Sequence, residues 1–256
     1  MKKLFLIALC VSSPCFAQTS YSTTMPDGSR DGYVGLALVS TPVVNGNSSS
    51  RETLLVPLLQ VQWSNGVFVS GITTVGMQLS GTPGVEYGPV MYRQQWRGPG
   101  SYQNVAGSED VKDSFNVGGF FNYSLGQKTR FISGLVTTTD APGLLLDVGI
   151  QKTLPSFAAH HTVVLSAGAR FADGAYAQHY YGISANNTTS DTVKNYAPTG
   201  GLVNLSAELK WNWALSASWR ISTIASVIQY APMAADSPLN SERSVVSIGS
   251  GLAYRF

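Results

Sequence analysis

Three histidines are the residues best suited to acid–base or metal chemistry in this sequence. His160 and His161 are adjacent, and adjacent residues of an extended chain point to opposite faces, so we interpret them as turn residues rather than as a pair. His179 lies between Asp173 and Asp191 in a long polar segment. A His–Asp pair is conceivable there, although a packed loop residue is the simpler interpretation.

A short acidic run is the other candidate for chemistry. Glu109, Asp110 and Asp113 could hold a cation weakly, but a solvated acidic loop is the favoured interpretation. The sequence contains no Gly-x-Ser-x-Gly, His-Glu-x-x-His or P-loop motif. We therefore expect no enzyme activity, no catalytic residues, no cofactor and no metal site.

The first seventeen residues predict a secretory signal peptide. Lys2 and Lys3 form a positive start, residues 4–11 are an apolar run too short to span a bilayer, and Ala17 supplies the small residue at a cleavage position. We expect the mature chain to begin at Gln18.

Removal of this segment changes what the rest of the chain can do. Both cysteines, Cys10 and Cys15, leave with it, so no disulfide or thiolate site is expected. Fourteen basic residues then face fourteen acidic ones, which gives a nucleic-acid role no electrostatic basis. No stretch of about eighteen apolar residues follows residue 17, so no membrane-spanning helix is predicted. An exported chain of this kind is either a soluble periplasmic domain or crosses the outer membrane as strands.

The C-terminal segment alternates in polarity residue by residue, which is typical of a strand. One face is apolar apart from Ser250: Val246, Ile248, Leu252, Tyr254 and Phe256. The other face is small or polar: Ser247, Gly249, Gly251, Ala253 and Arg255. A lipid-facing side and a lumen-facing side would give this pattern in a membrane barrel.

Ten further segments are candidate strands, which makes eleven in all: 32–40, 52–63, 67–79, 85–97, 115–123, 129–138, 144–151, 163–171, 203–211 and 219–227. Pro57 and Pro89 weaken two of them. Bacterial barrels have even strand numbers. We therefore predict an all-β transmembrane antiparallel up-and-down barrel over residues 18–256. Twelve strands are favoured, with the missing one in 18–31, and ten are the alternative.

Six charged residues fall on the predicted lumen face: Asp147, Arg170, Glu208, Lys210, Arg220 and Arg255. Mixed signs in a low-dielectric interior favour paired networks, so we expect a packed or narrow lumen. Aromatic residues near strand ends predict interfacial girdles: Tyr33, Trp63, Trp96, Trp211, Trp219 and Tyr230.

Three connections are long and polar, at 98–114, 172–199 and 231–243. Counting strands back from a periplasmic C-terminus places all three outside the cell, as the plan of bacterial barrels requires. The larger periplasmic surfaces are then 18–31 and 41–51.

Four segments carry a family resemblance: Ala-Asp-Gly-Ala-Tyr at 172–176, His-Tyr-Tyr-Gly-Ile-Ser at 179–184, Ala-Ala-Asp-Ser-Pro-Leu at 234–239 and Gly-Leu-Ala-Tyr-Arg-Phe at 251–256. In order and spacing they resemble the MltA-interacting protein family, also called the MipA/OmpV family. The resemblance implies an outer-membrane barrel. It also implies a non-enzymatic scaffold that joins a lytic murein transglycosylase to a murein synthase.

Two alternatives stay open, a small-solute channel and a surface adhesin that would use Tyr176, Tyr180 and Tyr181. The expected partners are outer-membrane lipid and the barrel-insertion machinery. That machinery would recognise Leu252, Tyr254 and Phe256. A C-terminal strand with apolar residues at every second position and an aromatic last residue resembles the assembly signal of outer-membrane proteins.

We predict that N-terminal sequencing of the mature protein starts at Gln18. The positive start, the apolar run and Ala17 together define this cleavage position. An uncleaved product, or a lipid-modified cysteine found by mass spectrometry, would contradict the prediction.

Overall fold

The computed structural model describes residues 28–42, 51–94, 114–139, 143–183, 195–240 and 242–256. Several predictions fall outside these ranges. They concern the signal peptide with its cleavage at Ala17 and Gln18, Trp96, the acidic residues Glu109, Asp110 and Asp113, and Asp191.

Twelve strands and two short helices make up the described part of the chain. The strands are β1 (Arg30–Pro42), β2 (Arg51–Trp63), β3 (Val67–Ser70), β4 (Thr74–Met77), β5 (Val85–Gln94), β6 (Ser114–Ser124), β7 (Thr129–Thr138), β8 (Leu144–Thr153), β9 (His161–Ala172), β10 (Gly201–Ala214), β11 (Trp219–Tyr230) and β12 (Ser244–Arg255). The helices are α1 (Gly174–Tyr181) and α2 (Pro232–Ala235). Among the described residues, no helix has the length and apolar character needed to cross a membrane.

The sheet closes on itself. Each strand pairs antiparallel with its neighbours in sequence, and β1 pairs with β12 over a register that runs from Tyr33 opposite Arg255 to Ser40 opposite Ile248. Closure removes the two free edges that an open sheet would expose to lipid. The predicted barrel and its twelve strands are confirmed, and the ten-strand alternative is wrong.

The twelfth strand does not come from residues 18–31, as we expected. Instead, the single strand predicted at 67–79 is a hairpin of β3 and β4. Each of these strands has four residues, and they pair from Val67 opposite Met77 to Ser70 opposite Thr74. Gly71 has φ 62° and makes the reversal possible. The turn Gly71-Ile72-Thr73 contains no Pro, Asn or Asp, so the alternation reads as one continuous strand.

This short hairpin explains the proline in β2. The Gly71 N–H donates to the Leu59 carbonyl at 2.7 Å, so the backbone of Leu59 faces β3. The backbone N–H and C=O groups of successive residues point to opposite sides of a strand, so those of Leu59 and Pro57 point to the same side. The nitrogen of Pro57 therefore faces the β3 side, at a point that the short hairpin does not reach. On that side the described pairing of β2 covers Gln60 to Gln62 only, whereas β1 pairs with Pro57 on the other side. A proline is tolerated there because no N–H is needed.

Polarity in the barrel is inverted relative to a water-soluble protein. On β1 the lipid-facing Leu36 and Leu38 are 55% and 57% exposed, whereas the lumen-facing Asn116 and Asn122 of β6 are 0% and 1% exposed. The two faces of β12 lie as predicted. Ser250, a polar residue on the outward face, forms a 2.9 Å hydroxyl–hydroxyl hydrogen bond with Thr223 of β11.

The barrel has a turn end and a loop end. The turn end carries the chain start of β1, the end of β12 and the connections 64–66, 78–84, 125–128, 154–160 and 215–218. The loop end carries 43–50, 71–73, 95–113, 139–143, 173–200 and 231–243. The three long connections therefore share one end, as predicted. The segment 41–51 belongs to the loop end, which corrects our expectation that it is periplasmic, because the extra hairpin shifts the strand count.

The predicted aromatic girdle is partly wrong. Trp63 and Trp219 do face outward at the turn end, where Trp219 packs edge-on against Tyr254 with ring centres 5.2 Å apart. Tyr33 and Tyr230 face the lumen instead, and the Tyr33 hydroxyl donates to Gln60 Oε1 at 2.8 Å. Tyrosine can occupy either face because its ring is apolar and its hydroxyl is polar.

We expect the refolded protein to migrate differently on a denaturing gel before and after boiling. A closed sheet has no edge from which detergent can separate the strands, so the barrel should persist until heated. Circular dichroism of the unboiled sample should be β-rich. A helical spectrum, or identical migration of both samples, would contradict the closed barrel.

Candidate functional site

The lumen is filled by side chains along one wall. Buried residues of β3, β5, β6, β7 and β8 form an apolar cluster: Phe68, Val90, Tyr92, Phe120, Val136 and Leu145. The rings of Phe68 and Phe120 meet edge to face with centres 5.7 Å apart. These side chains fill the lumen next to those strands.

Helix α1 closes the loop end over this cluster. Tyr176 and Tyr180 are 4% and 7% exposed, and their rings stack at 4.2 Å. Both belong to the same cluster as the strand residues beneath them. Burial raises the pKa of the Tyr176 hydroxyl well above its ordinary value. The adhesin alternative assigned a surface role to these two tyrosines, and their burial gives that role no support.

The start of α1 is fixed by Asp173. Its carboxylate accepts from the Tyr176 N–H at 2.8 Å, which is the hydrogen bond of an N-cap. A carboxylate used in this way has a structural role, and this explains why an aspartate precedes Gly174. His179, on the last turn of the same helix, packs edge-on against the Tyr180 ring.

Helix α2 and the end of the 173–200 connection complete the closure. The Ser237 hydroxyl donates to the Tyr181 carbonyl at 2.6 Å. The Tyr196 hydroxyl donates to the Met233 carbonyl at 2.8 Å, and Tyr196 also forms a backbone bridge with Ile183. We call the assembly of α1, α2 and their flanking residues 182–183, 195–200 and 236–240 the loop-end plug.

Below the plug, a buried ion pair joins β8 to β9. Arg170 donates to both carboxylate oxygens of Asp147, at 2.7 and 2.9 Å, and the two residues are register partners. Both side chains are at most 10% exposed. Both were predicted from sequence as lumen charges, and the pair is the kind of network that the mixed signs suggested.

A second buried pair escaped the sequence analysis. Arg130 of β7 binds the Glu86 carboxylate of β5, and Asn122 of β6 donates to the same carboxylate oxygen at 3.1 Å. Pro89 obscured the alternation of β5, and Ile132 and Val136 place apolar groups on the lumen face of β7. The polar residues on the lumen face of β6, Asn116 and Asn122, were the one sequence feature that pointed to buried partners.

The remaining four predicted lumen charges lie toward the turn end or mid-barrel. Arg255 donates to both carboxylate oxygens of Asp31, at 2.9 and 3.1 Å, in a partly exposed pair. Arg220 lies over the ring of Tyr33, with its guanidinium carbon 5.8 Å from the ring centre.

Glu208 and Lys210 are neighbours on the lumen face of β10, and they attract one another. All six predicted charges therefore face the lumen.

A family model for the MltA-interacting protein MipA matches residues 34–256. This range covers nearly the whole barrel and the loop-end plug. The chain belongs to the MipA family. Within this MipA-family chain, the segments 172–176, 179–183 and 234–239, which carried the sequence resemblance, meet in the loop-end plug.

Solved outer-membrane barrels are similar to this MipA-family chain in fold. A bacterial polysaccharide outer membrane secretin is 9% identical with a TM-score of 0.50, and the match covers 88% of this chain and 98% of that one. An outer membrane channel from Pseudomonas putida F1 is 10% identical with a TM-score of 0.48, over 93% and 99% of the two chains. No curated protein matches the chain significantly. Fold and family together place the protein in the outer membrane.

The other two histidines do not form a reactive group. His161 stacks against Trp211 and Trp213, with ring centres 5.7 and 5.4 Å away, and its Nδ1 accepts from Trp211 Nε1 at 3.1 Å. His160 lies in the turn before β9 with φ 66°. Among the residues that the model describes, no cluster of three or more His, Cys, Asp or Glu side chains could hold a metal ion.

We predict that Glu86→Ala destabilises the refolded barrel by roughly 3–5 kcal/mol, because it leaves the Arg130 guanidinium buried without its carboxylate. Unfolding in urea, followed by tryptophan fluorescence, measures the change. The matched control is Asp236→Ala, which breaks the exposed pair with Arg243 and should cost about 1 kcal/mol or less. Equal costs for the two variants would contradict the different burial of the two pairs.

Proposed function

We propose that this protein is a non-enzymatic scaffold of the outer membrane that holds murein-remodelling enzymes, a lytic transglycosylase and a murein synthase, at its periplasmic face. The family's description as MltA-interacting protein supports a partner of the transglycosylase type. The scaffold needs no catalytic group of its own.

The closure of the lumen is the observation that carries this proposal. Tyr176 and Tyr180 seal the loop end over an apolar cluster. Two buried ion pairs lie below it: Arg170–Asp147 joins the adjacent strands β8 and β9, and Arg130–Glu86 joins β7 to β5 across β6. A barrel filled in this way is suited to being a rigid platform rather than a wide pore.

The turn end supplies the surface on which such a partner would bind. By the plan of bacterial barrels, short turns face the periplasm, where murein lies. Four large apolar side chains are exposed in these turns: Leu79 at 53%, Leu125 at 52%, Phe157 at 68% and Leu215 at 44%. Gly28, which directly follows the segment 18–27, lies beside these turns because its N–H donates to Ser64 Oγ in the β2–β3 turn. We propose that this segment contributes to the contact.

A narrow channel for small solutes is the second candidate function. The observation in its favour is the opposite wall of the lumen, where Glu208, Lys210 and Arg220 are only half-buried. Polar groups that remain accessible to water could line a thin path along β10 and β11.

We predict that the protein, extracted from native membranes in mild detergent, retains a lytic murein transglycosylase. Deletion of residues 19–27, which stops short of Gly28, should reduce the recovery of that enzyme several-fold, because it removes part of the turn-end surface. Quantitative mass spectrometry of the retained proteins is the measurement.

The control for this deletion removes residues 185–193 from the loop-end connection and preserves the bridge between Ile183 and Tyr196. It should leave recovery unchanged. Loss of the enzyme only in this second variant would place the contact outside the cell and end the scaffold proposal. Large, steady single-channel conductance in planar bilayers would favour the channel instead.

A further inference from the structure

Charged residues of the strands are divided unevenly between the two faces of the barrel wall. The acidic residues of the described strands all lie at lumen-facing positions: Asp31, Glu52, Glu86, Asp147 and Glu208. The charged residues at outward positions of the same strands are all basic: Arg30, Arg51, Arg93 and Lys152. The outward face therefore presents positive charge alone to the membrane.

The turn end of the barrel has the same bias. Its five connections, 64–66, 78–84, 125–128, 154–160 and 215–218, contain no aspartate or glutamate, and the second-to-third hairpin turn at 125–128 contributes Lys128, which is exposed. By the plan of bacterial barrels this end meets the periplasmic leaflet of the membrane. An anionic headgroup in that leaflet would meet basic residues on the outward surface and no acidic side chain of these turns.

Aromatic rings mark the depth of the headgroups on the outward face of β9 and β10. In register, His161 is opposite Trp213, and Val163 is opposite Trp211. The imidazole ring of His161 lies nearly parallel to both indoles, with interplanar angles of 3° to Trp211 and 18° to Trp213. Phe157, from the turn before β9, packs 4.9 Å from the same imidazole. Outward aromatic rings at strand ends lie at the level of the lipid headgroups.

His161 keeps one hydrogen-bond donor available within this aromatic cluster. Its Nδ1 accepts from Trp211 Nε1 at 3.1 Å, so the proton of the neutral imidazole is on Nε2. The described residues provide no hydrogen-bond partner for that Nε2–H, and the adjoining turn 154–160 contains no carboxylate. An N–H held in place by stacked rings at headgroup depth can donate to a phosphate oxygen.

Lys152 of β8 supplies a positive charge beside this histidine, but deeper in the membrane. It is opposite Leu165 of β9, which is opposite Leu209 of β10, and the two leucines are 43% and 44% exposed toward lipid. Lys152 is exposed and has no ion pair in the described part of the chain. A charge at the level of lipid-facing leucines is costly unless the flexible stem carries the ammonium toward the interface.

The strand register places that interface within reach. Four residues, or roughly 13 Å of strand, separate Leu165 from His161 along β9. The side chain between them on the outward face is Val163, which is smaller than its neighbours and leaves the path along the wall open. The lysine stem covers part of the distance, and a lipid headgroup covers the rest.

We propose that the outward face of β8, β9 and β10 at the turn end binds an anionic phospholipid of the periplasmic leaflet. The Lys152 ammonium and the His161 Nε2–H both donate to oxygens of its phosphate. The acyl chains run over Leu165 and Leu209, and the indole of Trp211 lies beside the glycerol region. Charge complementarity selects the lipid, because the outward face has no acidic group to bind the cationic part of a zwitterionic headgroup. This site does not depend on a murein-enzyme partner.

The test uses the refolded protein in detergent micelles and native mass spectrometry, which counts the lipid molecules that stay bound. Phosphatidylglycerol is the probe, and phosphatidylcholine with the same acyl chains should bind less tightly. Lys152→Gln should weaken phosphatidylglycerol binding roughly fivefold, the usual contribution of one basic residue at an anionic membrane surface. His161→Phe keeps a ring in the stack but removes the Nε2–H, and it should weaken binding as well.

Arg30→Gln is the matched control. It also removes one outward basic charge at the turn end, but β11 and β12 lie between its strand and β10, and its guanidinium carbon lies 5.3 Å from the ring centre of Phe256. It should leave phosphatidylglycerol binding unchanged. Heat-dependent gel migration confirms that each variant is folded. Excess inorganic phosphate should not displace the lipid, because it lacks the acyl chains that contact the leucines.

The inference is overturned if phosphatidylcholine binds as tightly as phosphatidylglycerol, or if Lys152→Gln binds phosphatidylglycerol like the unaltered protein. It is also overturned if Arg30→Gln weakens binding as much as Lys152→Gln, since net charge rather than a defined site would then be responsible. Displacement of the lipid by inorganic phosphate would show a site for free anions. Displacement by soluble disaccharide-peptide fragments of murein would show a murein-binding surface, and either result would end the lipid proposal.

Discussion

The need to satisfy every backbone N–H and C=O without water is the constraint on which this structure depends. In a hydrocarbon layer an unpaired strand edge is too costly, so the first and last strands must meet, and β1 pairs with β12 over eight register positions from Tyr33 to Ser40. Closure then fixes which residues face lipid. Leu36 and Leu38 are exposed because their environment is apolar, and Ser250 is tolerated among them because Thr223 satisfies its hydroxyl.

Closure also turns the lumen into an interior in which charges must be balanced. Removal of two charges from water costs several kcal/mol for each ion, which a close pair with further hydrogen bonds can offset. Arg170 and Asp147 meet this requirement through two hydrogen bonds, and Glu86 receives both Arg130 and Asn122. Arg220 is only half-buried and packs against the face of the Tyr33 ring, so the cost of removing its charge from water is smaller.

The alternation of polar and apolar residues along single strands predicted most of the strands. The alternation of β12 and the lumen position of Asp147, Arg170 and Arg220 follow from a two-residue period, which sequence displays directly. The hairpin of β3 and β4 was missed because its reversal rests on the φ of Gly71, which leaves the alternation unbroken. The Glu86–Arg130 pair was missed because it joins β5 to β7 across β6, and pairing at that distance depends on register and barrel curvature rather than on any short motif.

The segments that carry the family resemblance meet in the loop-end plug. The distinctive residues of those segments have structural roles, since Asp173 caps α1, Tyr176 and Tyr180 fill the barrel mouth, and Ser237 ties the second loop to the first. A motif whose side chains are buried against one another cannot also present them to a partner. The residues of these segments therefore serve to close the loop end of the barrel. Under the scaffold proposal, a partner would contact groups that remain accessible, such as Phe157 and Leu125 at the turn end.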